Sequence, residues 1–388
     1  MNSKPLGPRR LQAFLALGHL TNDWAPGAVW LLAPAIGLHF DLQPSQIGLL
    51  ITVHSVGAAL AYLPAGILSD RTASQGRLLL GTFWWVGLGY LLASYSPGFW
   101  SLAILLAIAG MGDAAWHPIA TGVLARNFSG RRGQALGIHA LGGSLAEVLS
   151  PLLVGFLLSH LDWRSVLQVS VIPPLLMGLV FLGLADRIPR SHHPRIDRTA
   201  LFTLARYWTR RKGLALIVGI SMYNMALIGL MTISPLFVQR SLGFSSAQTG
   251  IFFALAILIG AVGQPLAGRW SDRAGRRQVF VTGSLCGGSC AVMAAMPSMN
   301  DLAPVFLVIA MATLVVIRSS ILAMAVDYSG QREATTLGFV FAVMDGVGAL
   351  GAVAAGLVAD FSLQYAFVLA ACLSLTSVVI TAGIALRR

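Results

Sequence analysis

Two histidine–aspartate pairs lie inside apolar stretches of this 388-residue chain, and their spacing suits proton chemistry. His19 and Asp23 are four residues apart, and Asp113 and His117 repeat that spacing in the opposite order. Residues four apart share one face of an α-helix, so each pair places a carboxylate beside an imidazole. Such a pair can take up and release a proton near neutral pH. We interpret both pairs as candidate proton-coupling groups; the alternative is a structural hydrogen bond that locks helix packing.

Other ionisable residues also fall in apolar stretches, where insertion into a bilayer costs about 2.5–3.5 kcal/mol for each group. They are His54, His139, Glu147, Arg318 and Asp345. Glu147 joins the proton-coupling candidates, and His54 and His139 are candidates for a relay or for bonds to backbone carbonyls. Arg318 is permanently charged and cannot carry a proton. It could anchor an anionic substrate, pair with an aspartate when no substrate is bound, or form a purely structural salt bridge.

The composition predicts a membrane protein, because 56% of the residues are hydrophobic and only 10% are charged. Soluble domains carry about 25% charged residues. Apolar runs of about 20 residues recur along the whole chain, and twelve membrane-spanning helices fit them. The predicted spans are 12–38, 46–69, 77–96, 99–125, 134–159, 164–185, 213–239, 246–269, 278–297, 302–326, 335–358 and 363–386.

The basic residues predict the orientation in the membrane. If both termini are cytoplasmic, 23 of the 26 lysines and arginines lie in cytoplasmic segments. Arg164 and Arg240 would lie outside and Arg318 inside a span. This asymmetry follows the positive-inside rule and predicts a multi-pass protein of the cell inner membrane. The net charge of +12 therefore reflects orientation in the bilayer and not nucleic-acid binding.

An internal repeat divides the chain. The sequence Gly66-Ile-Leu-Ser-Asp-Arg71 recurs 202 residues later as Gly268-Arg-Trp-Ser-Asp-Arg273, between apolar runs in the same order. We therefore predict two six-helix bundles, residues 1–186 and 213–388, joined by a basic cytoplasmic linker, residues 187–212. A short amphipathic helix at 199–211 is expected on the inner membrane surface.

The repeated motif resembles the loop between the second and third helices of major facilitator superfamily transporters. That resemblance implies an all-α fold of twelve membrane helices in two pseudo-symmetric bundles, with helices 1, 4, 7 and 10 lining a central cavity. It also implies a cytoplasmic gate of charge contacts that form and break during transport. The residues assigned to this gate are Asp70, Arg71, Asp272, Arg273, Arg276 and Arg277.

Two further motifs resemble the fosmidomycin-resistance branch of that superfamily. They are His19-Leu-Thr-Asn22-Asp23 and Gly110-Met-Gly-x3-Trp116-His117-Pro118. The chain departs from the branch at Ile119, where the branch usually has glutamate, and at the additional Asp113. The branch implies proton-driven export of drugs such as the phosphonate fosmidomycin. Polar and aromatic residues on the cavity helices, with His139, then form the expected substrate-binding set: Arg318, Asn22, Asn224, Trp116, Tyr223 and His139.

We therefore predict a proton-coupled antiporter that exports a small anionic or amphiphilic compound, with Asp23 as the first choice of proton carrier. A proton-symport importer of an organic anion, a metal-ion exporter and a transport-inactive receptor or scaffold remain open. No arrangement of nucleophile, base and orienting residue indicates an enzyme, and no nucleotide-binding loop indicates a primary pump. The three cysteines fall in apolar stretches and indicate neither disulfides nor a metal–thiolate site. We expect a monomer without a cofactor or a resident metal, powered by the proton gradient.

Overall fold

A computed structural model describes residues 5–128, 132–189, 206, 208–329 and 333–382, and this part of the chain forms helices and contains no β-strand. The helices before the linker are α1 Pro8–Asn22, α2 Trp24–His39, α3 Pro44–Arg71, α4 Gln75–Ser94, α5 Phe99–Asn127, α6 Arg132–Leu157, α7 Trp163–Ser170 and α8 Ile172–Leu184. Those after it are α9 Arg211–Arg240, α10 Ser246–Ala274, α11 Arg276–Ala295, α12 Ala303–Val316, α13 Arg318–Ser329, α14 Glu333–Gly346, α15 Leu350–Ala359 and α16 Leu363–Ala382.

Within the described residues, eleven helical segments are long and apolar enough to cross a bilayer. The remaining predicted span is interrupted and consists of α1 and α2. The chain is therefore a multi-pass membrane protein, and the predicted all-α fold is confirmed. Most of the predicted linker and its amphipathic helix at 199–211 lie outside the described residues.

The first span is interrupted at Asp23, where the sequence predicted one continuous helix. Pro26 supplies the physical reason, because it has no N–H to donate to the carbonyl of Asn22. Asp23 has φ −80° and ψ −2°, near a sparsely populated region of backbone conformations in which many active-site residues lie. Its amide still donates to the His19 carbonyl at 3.1 Å. The interruption therefore leaves the two helices nearly continuous, with Asp23 at their junction.

Three other predicted spans are also divided. The helix predicted at 164–185 breaks at Val171, just before two prolines that cannot continue the hydrogen-bond ladder. The helix predicted at 302–326 breaks at Ile317, and the one predicted at 335–358 breaks between Gly346 and Leu350. Apolar length predicts a span but not an interruption inside it.

The helices divide into two compact units. Unit 1 comprises Met1–Leu32 and Val53–Asp197, and unit 2 comprises Ala33–Thr52 and Arg198–Arg388. In unit 1, α1 packs on α6, and α4 packs on α5 and α8. Its hydrophobic core includes Phe83, Trp116 and Phe181.

Unit 2 is organised around α16, which packs on α9 and α11, while α12 packs on α10 and α11. The segment Ala33–Thr52 is attached to this unit by polar contacts as well as by packing. The Thr52 hydroxyl donates to the Ala349 carbonyl at 2.7 Å, and the Ser45 amide donates to Asp360 at 2.9 Å.

Candidate functional site

Both histidine–aspartate pairs meet in one polar cluster in unit 1, at the interruption between α1 and α2. Nε2 of His19 lies 3.1 Å from Oδ2 of Asp23. Nε2 of His117 lies 3.9 Å from Oδ1 of Asp23 and 4.0 Å from Oδ2 of Asp113. The predicted adjacency within each pair is therefore observed, and the structure in addition brings the two pairs together.

Asn22 joins the two carboxylates. Its Nδ2 donates to Oδ1 of Asp113 at 2.6 Å and to Oδ1 of Asp23 at 3.3 Å. Asn22 is fully buried, and its Oδ1 has no hydrogen-bond partner among the described residues. Its predicted role was substrate binding; its observed contacts hold two acidic side chains in place.

The hydrogen bonds of His19 define how many protons its contact with Asp23 requires. Nδ1 of His19 lies 2.8 Å from the His139 carbonyl, which can only accept, so Nδ1 carries a proton. A neutral His19 would then present a bare Nε2 to the carboxylate. The 3.1 Å contact becomes a hydrogen bond only when a further proton resides on Nε2 or on Asp23. The strength of this contact therefore depends on the number of protons that the pair carries.

His139 is buried and packs against the ring of His19. The two rings stack with centroids 4.2 Å apart, and only 2% of His139 is exposed. Its Nδ1 donates to the Leu15 carbonyl at 3.1 Å, and its Nε2 is without a partner among the described residues. Glu147 lies on α6, is exposed, and interacts electrostatically with His19. Both residues of α6 thus contribute to the surroundings of His19.

Trp116 belongs to the core of unit 1 in this structure. It is fully buried, and its ring centroid lies 4.7 Å from that of Phe83 and 6.2 Å from that of Phe181. These are the contacts of a packing residue. Its predicted role in substrate binding stays a prediction.

In unit 2, Tyr223 and Asn224 donate hydrogen bonds to backbone carbonyls near helix interruptions. The Tyr223 hydroxyl donates to the Leu314 carbonyl, three residues before the break at Ile317. Nδ2 of Asn224 donates to the Met344 carbonyl at 2.6 Å, before the break between α14 and α15. Arg318 is half-buried and opens α13 directly after the first of these breaks. The three predicted substrate residues of unit 2 therefore lie on or beside interrupted helices.

The arginines of the repeated loop make local contacts at one end of unit 2. Arg276 pairs with Asp272 one turn earlier and with Asp327 at 3.2 Å, and Arg277 donates to the Ala382 carbonyl. Arg71 and Arg273 are exposed, and the side chain of Asp70 lies outside the described part of the structure. The gating function of these residues stays a prediction.

Three side chains of the cluster also lie close enough together to act as ligands of one divalent metal ion. Ligand atoms of His19, Asp23 and His117 all lie within 4.8 Å of one another. This is the convergence that the alternative of metal export requires. This convergence does not by itself distinguish a metal site from a proton site, since metal ions and protons bind to the same atoms.

Tyr90 is a polar residue of unit 1 that sequence reasoning did not single out. Its hydroxyl lies 2.6 Å from Nε2 of His54 on the neighbouring helix. A single tyrosine in an apolar run carries no signal of such a contact, because the partner comes from another helix.

Two multi-helix units with partly buried ionisable groups at helix interruptions are the features of a secondary transporter. The sequence profile of the Major Facilitator Superfamily matches residues 15–316 and 216–388, and the chain belongs to that superfamily. It is 25% identical over 353 residues to the fosmidomycin resistance protein of Escherichia coli, covering 89% of this chain and 85% of the relative. A Haemophilus influenzae protein assigned by name to metabolite transport is 27% identical over 361 residues, covering 87% and 86%.

Solved structures support the same fold. An inward-facing, unoccupied bacterial homologue of the human lysosomal transporter Spinster superposes with a TM-score of 0.78 at 17% identity, covering 96% of this chain and 94% of that one. A nucleoside transporter superposes with a TM-score of 0.77 at 14% identity, covering 96% and 98%. The chain is therefore a membrane transporter of a small molecule and not an enzyme, as the sequence predicted.

Proposed function

We propose that this transporter exports a small anionic or amphiphilic compound in exchange for protons, with Asp23 as the proton-carrying group. The observation that carries the proposal is the 3.1 Å contact between Asp23 and His19, which is a hydrogen bond only when the pair carries a further proton. The distribution of lysines and arginines supports a location in the cell inner membrane with both termini cytoplasmic, because these residues then concentrate on the cytoplasmic side.

The surroundings of Asp23 suit a group that must gain and lose a proton. Without that further proton, a carboxylate would face a bare imidazole nitrogen, and the contact would weaken. Nε2 of His117 and Nδ2 of Asn22 then remain to interact with the Asp23 carboxylate. Each protonation state therefore has its own set of contacts, which is the differential interaction that coupling requires.

Arg318 is the proposed anchor for an anionic substrate. A guanidinium keeps its charge at all physiological pH values and can bind a carboxylate or phosphonate with two parallel hydrogen bonds. It lies in unit 2, whereas the proton cluster lies in unit 1. We propose that unit 1 binds the proton and unit 2 binds the anion.

The test is a transport assay in proteoliposomes that contain a trapped pH dye. Phosphonates, organic acids, amphiphilic drugs and divalent metals are each added under an imposed pH gradient. We expect substrate-dependent proton flux opposite in direction to substrate movement. Flux in the same direction would identify an importer by symport, and coupled flux with divalent metals alone would identify a metal exporter. Binding without any proton movement would contradict the proposal.

Replacement of Arg318 should raise KM for anionic substrates more than for neutral ones. We expect Arg318→Gln to raise KM for an anionic substrate at least about tenfold, because hydrogen bonds to charged groups contribute about 1.5–3 kcal/mol. The matched control is Arg240→Gln, which removes an exposed arginine at the end of α9. Transport kinetics with an anion and with a neutral analogue would check this. An equal effect on both substrates would exclude a specific anion contact.

A further inference from the structure

A third titratable pair of unit 1 lies outside the proposed proton cluster. His54 on α3 and Tyr90 on α4 are joined by a hydrogen bond of 2.6 Å between Nε2 and the phenolic hydroxyl. Tyr90 is fully buried, whereas His54 keeps partial exposure. Both lie in apolar helices, where ionisable groups are costly to bury and commonly have a function.

The pair adjoins the cluster through α5. A Cβ added to Gly110 would lie 3.1 Å from the His54 carbonyl and 3.2 Å from ring atoms Cδ2 and Nε2, so the imidazole rests directly on the α5 backbone. Asp113 is three residues further along α5 and therefore on the same helix face. The carboxylates of Asp113 and Asp23 are both near enough to interact electrostatically with Tyr90.

The pair also lies closer to one membrane face than the cluster does. Successive membrane spans reverse direction, so the start of α3 at Pro44, the end of α4 at Ser94 and the start of α5 at Phe99 lie at the same face. With a rise of 1.5 Å per residue, His54 is about 15 Å and Tyr90 about 6 Å from those ends, whereas Asp113 is about 21 Å away. In the predicted topology this is the outer face.

We propose that His54 relays protons between the outer face and Asp113, and that Tyr90 is a positioning residue for its imidazole. The inference rests on the proton coupling proposed above. His54 binds a proton from the outer aqueous phase at Nδ1, and the imidazolium so formed loses its Nε2 proton to the Asp113 carboxylate. His54 is then neutral with its proton on Nδ1, and the Tyr90 hydroxyl donates to the bare Nε2. The charged groups that interact electrostatically with Tyr90 are Asp113 from α5 and Asp23 from the α1–α2 junction.

The experiment compares His54→Gln and Tyr90→Phe with two control variants, His39→Gln and Tyr95→Phe, in which the replaced side chains are exposed. Proteoliposomes with a trapped dye receive a pH jump at the outer face in the presence of a transported substrate. We expect His54→Gln to slow coupled proton movement by about 100-fold, the lower end of the usual contribution of a proton-transfer residue. Substrate–substrate exchange should keep its rate, because it needs no net proton transfer. Both controls should match the wild type.

Chemical rescue distinguishes a relay from a structural role. In His54→Gly, added imidazole should restore proton movement, whereas Tyr90→Phe should be slowed but not rescued. Tyr90→Phe keeps the packing of the ring and also tests the relay if the His54 variants do not fold. Unchanged proton rates in His54→Gln, or parallel loss of exchange without rescue, would overturn the relay alone. Wild-type transport without proton movement would overturn the relay together with the proposed function.

Discussion

Asp23→Asn is expected to abolish proton-coupled transport while leaving the protein folded. The amide has the shape of a protonated carboxyl group, and its N–H can donate to the bare Nε2 of His19 across the 3.1 Å contact. The variant therefore imitates the proton-loaded state but cannot release the proton. We expect substrate-driven proton flux to fall by at least about 100-fold, which is the usual lower range for loss of a proton-transfer group. Substrate binding and substrate–substrate exchange should remain.

The measurement is proton flux in proteoliposomes, with size-exclusion chromatography and thermal unfolding as checks on folding. Asp162→Asn is the matched control. Asp162 caps α7 by accepting from the backbone amides of Arg164 and Ser165, and asparagine caps helices equally well. The Ser165 hydroxyl and these amides hold the pKa of Asp162 below its usual value, so the control removes a carboxylate that stays ionised. Wild-type coupled flux in Asp23→Asn would remove Asp23 from the mechanism.

A methyl group added at Gly142 should disturb both stability and coupling. A Cβ at this position would lie 2.1 Å from the Ala16 carbonyl and 3.1 Å from Cβ of His19. The obstacle is mainly backbone, so α6 must move away from α1. We expect Gly142→Ala to lower the free energy of unfolding by about 1–3 kcal/mol, the usual cost of overpacking. Coupled flux should fall with it, because α6 also carries His139, which orients His19.

Gly143 tests the same interface closer to the site. A Cβ there would lie 2.7 Å from Cε1 and Nε2 of His19 and 3.2 Å from Oδ2 of Asp23. The imidazole can turn aside, so Gly143→Ala should reduce coupling more than stability. Gly137→Ala on the same helix is the control, since nothing lies within 4 Å of its added Cβ. Thermal unfolding in detergent and proton flux would be measured for all three variants, and equal behaviour of Gly142→Ala and Gly137→Ala would contradict the prediction.

The helical spans and the two histidine–aspartate pairs could be predicted from the sequence because both depend on local patterns. Apolar runs of about 20 residues match the thickness of a bilayer, and a spacing of four residues places His19 beside Asp23 whatever surrounds them. The membrane class and the family followed from the same features and the repeated loop. The interruption at Asp23 was missed although Pro26 offered a signal, since prolines inside membrane helices often leave the helix intact.

What the tertiary structure alone decided is which polar groups share a site. Asn22 and Asp113 are 91 residues apart and His19 and His139 are 120 apart, yet each pair is hydrogen-bonded. Sequence spacing defines the face of one helix, whereas contacts between helices depend on where small residues such as Gly142 and Gly110 let backbones approach. For that reason His139, which the sequence predicted to bind substrate, instead packs against the ring of His19. The contact between His54 and Tyr90 likewise depends on the packing of α3 and α4, and the sequence did not predict it.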